Sequence, residues 1–339
     1  MNNPKIIRKF ETELSASELF IKPKMEHFYI RLNNICNARC EFCDVWRTVE
    51  DHDPKIDFDK LVDELLALKV QEVNIHGGEA FLSKAFFSML EKADSRLRFS
   101  ITTNGSFLRP QMMDRIVNRG LSRIYLSIDH HDPVENAKSR GIPKIASTLI
   151  PNLLDLIKAH PGVEVIINHV VSSFNIDTIS TFVTKMKDIG VDAVNLIPIK
   201  DYPALNVSEI QIEKFNTDLA TLLHSHGVSR TFFLGGNVEI FGTRPEQWRL
   251  AARGIYGAVK TSCIVPSAVA FLDAVSGRIF PCDTTMYRQK AEQYVMGNIL
   301  ENSLIDIWNG DRFSAFRKQM YPIVCHDCVV GCDPANMIP

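Results

Sequence analysis

The chain has 339 residues, 45% of them hydrophobic and 23% charged, which is enough apolar material for one large buried core and a smaller one beside it. Its formal net charge of −2 gives no electrostatic case for a nucleic-acid or membrane partner. It opens Met-Asn-Asn-Pro-Lys without an apolar signal segment and has no uninterrupted apolar run of about 18 residues. A cytoplasmic protein is therefore expected, in a reducing compartment where clustered cysteines bind metal more often than they pair.

After an N-terminal extension (1–27), apolar β-type runs alternate with amphipathic stretches. Strands are predicted near Phe28–Leu32, Glu72–His76, Phe99–Thr103, Arg123–Asp129, Glu164–Val171 and Ala193–Pro198, with helices at Phe58–Leu68, Lys84–Ala93, Pro110–Arg119, Pro143–Lys158 and Ile176–Ile189. Such alternation implies parallel strands joined by right-handed crossovers. The fold class is α/β, and six units suit a partial (β/α)6 barrel, whose reacting groups gather at the C-terminal strand ends.

The first of those ends carries Cys36-Asn-Ala-Arg-Cys40-Glu-Phe-Cys43, the spacing C-x-x-x-C-x-x-C. A loop this short wraps three thiolates round one face of a four-iron, four-sulfur cluster and leaves the fourth iron open to a small chelating molecule. Zinc is the alternative, but structural zinc prefers four closed ligands, and no further Cys or His follows before His52. The next strand ends run Gly77-Gly78-Glu79, Thr102-Thr103-Asn104-Gly105 and Ser127-Ile128-Asp129, with Ser139-Arg140-Gly141 beyond and Asn195–Pro198 on the sixth strand. Taken singly, each also reads as a solvated loop.

Beyond residue 200 a connector (201–262) contains helical stretches at Ser208–His224 and Pro245–Arg253. The remaining cysteines, Cys263, Cys282, Cys325, Cys328 and Cys332, lie in the C-terminal part (263–339). A hairpin of Ala270–Asp273 and Gly277–Cys282 is predicted there, followed by a helix from about Leu304 to Met320. One C-x-x-C pair with two distant cysteines also fits a tetrahedral zinc site.

The cysteine triplet, with Phe42 before its last member, resembles the signature of the radical S-adenosylmethionine (SAM) superfamily. Gly77-Gly78-Glu79, one strand-helix unit later, is similar to that family's Gly-Gly-Glu motif, with Ala80 where many members have Pro. The resemblance implies a barrel over 28–200, a [4Fe-4S] cluster on Cys36, Cys40 and Cys43, and S-adenosyl-L-methionine on the open iron, cleaved after one-electron reduction to a 5′-deoxyadenosyl radical. By the same resemblance Gly77, Gly78 and Glu79 receive the SAM amino group, Ser127 and Asp129 approach its ribose or methionine part, and Arg140 holds its carboxylate. Phe42, Thr103 and Asn104 join the cofactor contacts, and Ile197 lies on the strand that shelves the adenine.

The C-terminal hairpin, helix and cysteine spacing, with Met296-Gly297-Asn298-Ile299 and Ile307-Trp308-Asn309, resemble the SPASM extension of these enzymes or its shortened twitch form. Five cysteines allow one auxiliary [4Fe-4S] cluster under full cysteine ligation. By likeness to twitch members its ligands are Cys263, Cys282, Cys325 and Cys328, and Cys332 is a substitute ligand, an inert thiol or a hydrogen-atom donor. The expected reaction is hydrogen abstraction from a small polar molecule (a sugar, aminocyclitol or nucleoside), with oxidation through the auxiliary cluster. Epimerisation with a cysteine hydrogen donor and maturation of a ribosomal peptide are the alternatives, and a non-catalytic scaffold comes last. With only about 27 residues before the first strand there is no room for a folded leader-binding domain of usual size. A flavodoxin or ferredoxin is implied as electron donor. Lys200 and Asp201, directly after the last barrel strand, are the expected substrate contacts, with Asp44, Trp46, Arg47, His76, His130, His131 and Tyr202 nearby at the mouth.

Overall fold

The structure, a computed structural model, describes residues 22–47, 54, 56–199, 202–225, 228, 265–286 and 291–319. The described strands are β1 (His27–Arg31), β2 (Glu72–His76), β3 (Arg98–Thr103), β4 (Leu121–Ser127), β5 (Glu164–Val171), β6 (Ala193–Pro198), β7 (Val269–Asp273), β8 (Arg278–Phe280) and β9 (Gly297–Asn298). They form one sheet in the order β6-β5-β4-β3-β2-β1-β7-β8-β9. Strands β1 to β6 pair in parallel, as the strand-helix alternation requires. Strand β7 pairs in parallel with the far side of β1, and β8 and β9 then turn back antiparallel.

Helices α1 (Phe58–Ala67), α2 (Lys84–Ala93), α3 (Pro110–Val117), α4 (Pro133–Arg140), α5 (Ile145–Ala159) and α6 (Ile179–Ile189) occupy the crossovers, and α7 (Glu209–Ser225) follows β6. Each starts and stops for local reasons. In α1 the side chain of Asp57 accepts from Lys60 N, while Phe58, Leu61, Val62 and Leu65 form its buried stripe. Those residues join Phe28, Ile30, Val73, Ile75, Phe99 and Ile101 from the outward strand positions in one continuous core. The C-terminal part adds α8 (Val265–Ala268), α9 (Asp283–Met286), α10 (Leu304–Asn309) and α11 (Asp311–Gln319).

One helix is new to the sequence reading and one expected helix is divided. Helix α4 was not anticipated, because Pro-Val-Glu-Asn-Ala-Lys-Ser-Arg has no apolar period. It forms because Asp132 accepts from Val134 N and Glu135 N, Pro133 takes the first turn, and Gly141 closes it at φ 63°. The predicted helix Leu304–Met320 is two helices, α10 and α11, with Gly310 extended between them. The predicted Pro245–Arg253 helix lies outside the described residues.

The inward strand positions are polar. At the N-terminal end of the strands, Arg123 bridges Glu72 and Glu164, with Arg98 3.8 Å from Glu72, and burial pushes the Tyr125 hydroxyl up to about 12. This ion network leaves the opposite end, where the loops converge, as the place for a ligand. Among the described residues no helix is long and apolar enough to cross a membrane.

Candidate active site

The loop after β1 is built against the loop after β2. Gly78 N donates to Asn33 O at 2.8 Å and Glu79 N to Ile35 O at 2.7 Å. A Cβ at position 78 would lie 2.1 Å from Ile35 O, and Gly77 sits at φ +130°, so this approach demands both glycines. The glycine pair therefore fixes the stem of the cysteine loop whatever else it binds.

Glu79 is fully buried. Its carboxylate accepts from Thr103 Oγ1 at 2.8 Å and Asn104 N at 2.9 Å. Burial pushes this carboxyl up to about 7, against those hydrogen bonds. Asn104 Nδ2 donates in turn to Asn37 Oδ1 at 2.8 Å, and Asn37 Nδ2 to Ser106 Oγ at 2.9 Å. One chain of hydrogen bonds thus ties the ends of β2 and β3 to the cysteine loop.

Cys36 and Cys43 are half-buried and Cys40 is buried. Burial pushes the Cys36 and Cys40 thiols up, and the neighbouring cysteines push in the same direction. Donors point at two of the sulfurs: Ala38 N lies 3.4 Å from Cys36 Sγ and Arg140 Nη1 3.6 Å from Cys40 Sγ. Among the described residues no three His, Cys, Asp or Glu side chains converge on a single-ion site. Desolvated thiols that feel one another, with N–H donors on their sulfurs, suit an iron–sulfur cluster, in which each cysteine reaches a different iron.

Arg140 and Asp129, both buried, form an ion pair at 2.7 Å. Asp129 also accepts from Val170 N at 3.0 Å, and Phe42 lies 5.7 Å from the guanidinium. Burial pushes Asp129 up while Arg140 opposes it. Of the expected SAM contacts, Thr103 and Asn104 hold Glu79, with Asn104 also 4.0 Å from Cys36 Sγ, whereas Asp129 and Arg140 pair with each other beside Cys40. Ser127 and Ile197 are half-buried at the ends of β4 and β6. Trp46 closes the loop by donating Nε1–H to Cys40 O at 2.9 Å, with Arg39 and Arg47 over its ring at 5.2 and 5.0 Å.

Arg31, Tyr29, Asn168 and Asp273 escaped the sequence reading, although their neighbours His76 and Asn195 did not. Arg31 lies 3.5 Å from Asp273 across the β1–β7 pair, beside His76, which burial and then Arg31 hold down to about 4. Tyr29 stacks on Phe271 at 4.5 Å between ring centroids, and Asn195 donates to Asn168 at 2.9 Å in the row next to Ser127. Strand alternation was the available signal: Arg31 and Asn168 are polar positions inside otherwise apolar strands.

Cys282 is half-buried at the end of β8 and packs on a small separate core containing Val265, Val269, Phe271, Phe280 and Met286. Cys263, Cys325, Cys328, Cys332, Lys200 and Asp201 lie outside the described residues.

Comparisons with known proteins agree with this geometry. Residues 30–171 match the radical SAM superfamily, and residues 263–329 match SPASM, an iron-sulfur cluster-binding domain. The chain is 25% identical, over 91% of its own length and 89% of the relative's, to a tungsten-containing aldehyde ferredoxin oxidoreductase cofactor-modifying protein of Pyrococcus furiosus. It is 23% identical, over 88% of its length and 78% of the relative's, to a PqqA peptide cyclase of Granulibacter bethesdensis. A 59-residue stretch (17% of this chain, 22% of the relative) is 41% identical to an S-adenosyl-L-methionine-dependent 2-deoxy-scyllo-inosamine dehydrogenase of Niallia circulans. The fold is shared with Streptococcus suis SuiB bound to S-adenosylmethionine, at a TM-score of 0.64 and 16% identity, over 87% of this chain and 68% of that one. The cysteine loop at the end of β1, the glycine pair that braces it and the cysteine-bearing hairpin beyond β7 are thus the parts of a radical SAM enzyme that carries a SPASM-type cluster domain.

Proposed function

We propose that this enzyme abstracts a hydrogen atom from a small polar substrate bound against the inner face at the C-terminal strand ends and completes a two-electron oxidation. The observation that carries the reading is the inner wall itself. Arg31 with Asp273 and neutral His76 on one side, and the Asn168–Asn195 pair on β5 and β6, offer donors and acceptors of the kind that orient a polyol or amine.

When bound, the cluster at Cys36, Cys40 and Cys43 and its SAM supply the one-electron cleavage and the radical. The chain's own residues do the rest. Gly77 and Gly78 let the second loop brace the first, Glu79 locks that loop to β3 through Thr103 and Asn104, and Arg140 donates to Cys40. The bridged Glu72, Arg123 and Glu164 fill the far end of the strands. Loss of one hydrogen atom, one proton and one electron turns a carbinol into a ketone, and an auxiliary cluster held by the C-terminal cysteines, Cys282 among them, would supply the acceptor for that electron. Lys200 and Asp201 are proposed as further substrate contacts, and a flavodoxin or ferredoxin as electron donor.

The test is anaerobic reconstitution, followed by iron and sulfide counts and 5′-deoxyadenosine formation with dithionite, and then a screen of deuterated sugars and aminocyclitols. Deuterium in 5′-deoxyadenosine together with a ketone product is expected. Turnover of peptides alone would replace this reading with peptide maturation, which the similarity to a PqqA peptide cyclase over 88% of the chain supports. Solvent hydrogen in place of deuterium at an inverted carbon would replace it with epimerisation, for which Cys332 is the proposed hydrogen donor.

A further inference from the structure

Several polar side chains of the inner face satisfy one another. Asn74 donates to Ser100 at 2.9 Å, Asn195 donates to Asn168 at 2.9 Å, and Arg123 is held between Glu72 and Glu164. The ends of β7, β1 and β2 differ. Asp273, Arg31 and His76 are direct register partners there, on strands about 4.8 Å apart. Arg31 Nη1 lies 3.5 Å from Asp273 Oδ1, yet Arg31 Nε and Asp273 Oδ1 both lack a hydrogen-bond partner among the described residues. The His76 ring makes no hydrogen bond with a described residue, and burial followed by the charge of Arg31 keeps it neutral. Phe28, Ile30 and Leu32 pack into the outer core, so Asn33 continues the inward face of Tyr29 and Arg31. Asn33 is 1% exposed, and neither its Oδ1 nor its Nδ2 has a partner among the described residues.

A polar atom withheld from water without a partner is costly, so four neighbours in this state mark a place kept for a ligand. Arg31 and Asp273 keep 19% and 13% of their side chains exposed, and a change of rotamer turns their idle atoms toward that opening. The donor and acceptor inventory narrows the ligand. Arg31 Nε–H only donates, Asp273 Oδ1 only accepts, and the neutral imidazole and the Asn33 amide each do both. A carboxylate or phosphate would answer the donors and face Asp273, whereas an ammonium would answer the acceptors and face Arg31. A hydroxyl donates once and accepts through its lone pairs, so two adjacent hydroxyls answer both sets and add no charge.

We infer that this corner anchors two neighbouring hydroxyl groups of an uncharged polyol, with Arg31, His76 and Asn33 donating to them and Asp273 accepting from them. The inference rests on the proposed function and sharpens it, choosing a neutral polyol over an amine. His76 directly precedes Gly77, so a ring anchored here sits next to the glycine pair that braces the cysteine loop.

The test uses full-length, reconstituted enzyme with S-adenosylmethionine and dithionite. Ring-deuterated probes are competed in sets of three: a neutral hexose or cyclitol, its amino-deoxy analogue and its carboxylate analogue. Deuterium in 5′-deoxyadenosine reports each. The neutral member is expected to lead by about tenfold in kcat/KM. Arg31→Met leaves Asp273 unopposed and should shift the preference about tenfold toward the amine, while Asp273→Asn leaves Arg31 unopposed and should shift it as far toward the acid. Asn at 273 still accepts from Ser276 Oγ, so this variant decides alone if Arg31→Met loses its iron. A wild-type preference for the amine or the acid overturns the inference and leaves hydrogen abstraction from a small polar substrate standing. Equal losses on all three probes in the variants overturn it too, because the pair would then be structural. Deuterium from no member of any set overturns the inference together with the proposed function.

Discussion

Two arginines are buried to nearly the same degree, Arg140 at 7% exposure and Arg317 at 6%, and they are neutralised in different ways. Arg140 has a carboxylate of its own chain 2.7 Å away and still spares a donor for Cys40. Arg317 has two aromatic rings, one backbone carbonyl and an idle nitrogen. The first site pairs its charge with a carboxylate, although Arg140 Nε, like Arg317 Nη2, has no hydrogen-bond partner among the described residues. The second has no carboxylate beside it among the described residues and is held by aromatic packing and the Pro266 carbonyl.

The strongest way to break this contrast is to remove the cluster ligands beside Arg140. Cys36→Ala/Cys40→Ala/Cys43→Ala should reduce 5′-deoxyadenosine formation to background while the Asp129–Arg140 pair still holds the fold; urea denaturation of the variant should give nearly the wild-type slope. Next in size, Arg140→Met strands a buried carboxylate and should cost about 3–5 kcal/mol. Asp129→Asn/Arg140→Met should recover part of that loss, because neither partner then stays charged. A double variant no more stable than Arg140→Met would show that the pair does not offset itself.

A smaller effect is read from pH. His169 is buried beside Phe182, and burial first and Arg140 second hold it down to about 3, against the pull of the Ile128 carbonyl. Between about pH 3 and 6.5 the unfolded chain binds a proton at this residue that the native chain does not. Stability should therefore rise with pH across that window, by about 1.4 kcal/mol per unit from His169 alone. Denaturation midpoints at pH 5 and 6.5 give the slope. His169→Gln should lower it by about that amount, the rest coming from His27 and His76, which burial also holds down to about 4, and Arg140→Met should shorten the window by letting the His169 pKa rise. Smallest of all, Trp46→Phe removes the bond to Cys40 O and should cost about 1 kcal/mol, seen as slightly faster loss of iron to a chelator.

The parallel strands were legible because each is a short apolar run between amphipathic stretches, and the cysteine loop because its spacing leaves few other uses. What lay beyond reach depended on contacts distant in sequence. Glu79 was found as part of a motif, yet its partners Thr103 and Asn104 come from the next strand. Asp129 and Arg140 were each marked as cofactor contacts, but their pairing needs α4, which has no apolar stripe and is held by Asp132 and Gly141. The burial of Arg317 was not legible because it depends on Trp308 of α10 and on Pro266, which a single helix over 304–320 does not bring to it.

The parallel pairing of β7 with β1 has one more consequence. Strand β1 would be an outer strand if the chain stopped after β6, with His27–Arg31 offering a bare row of amide and carbonyl groups. Such an edge recruits other chains. The cluster domain therefore also works as a cover for the barrel, and a fragment ending near Ile199 should self-associate through β1, however intact its cysteine loop.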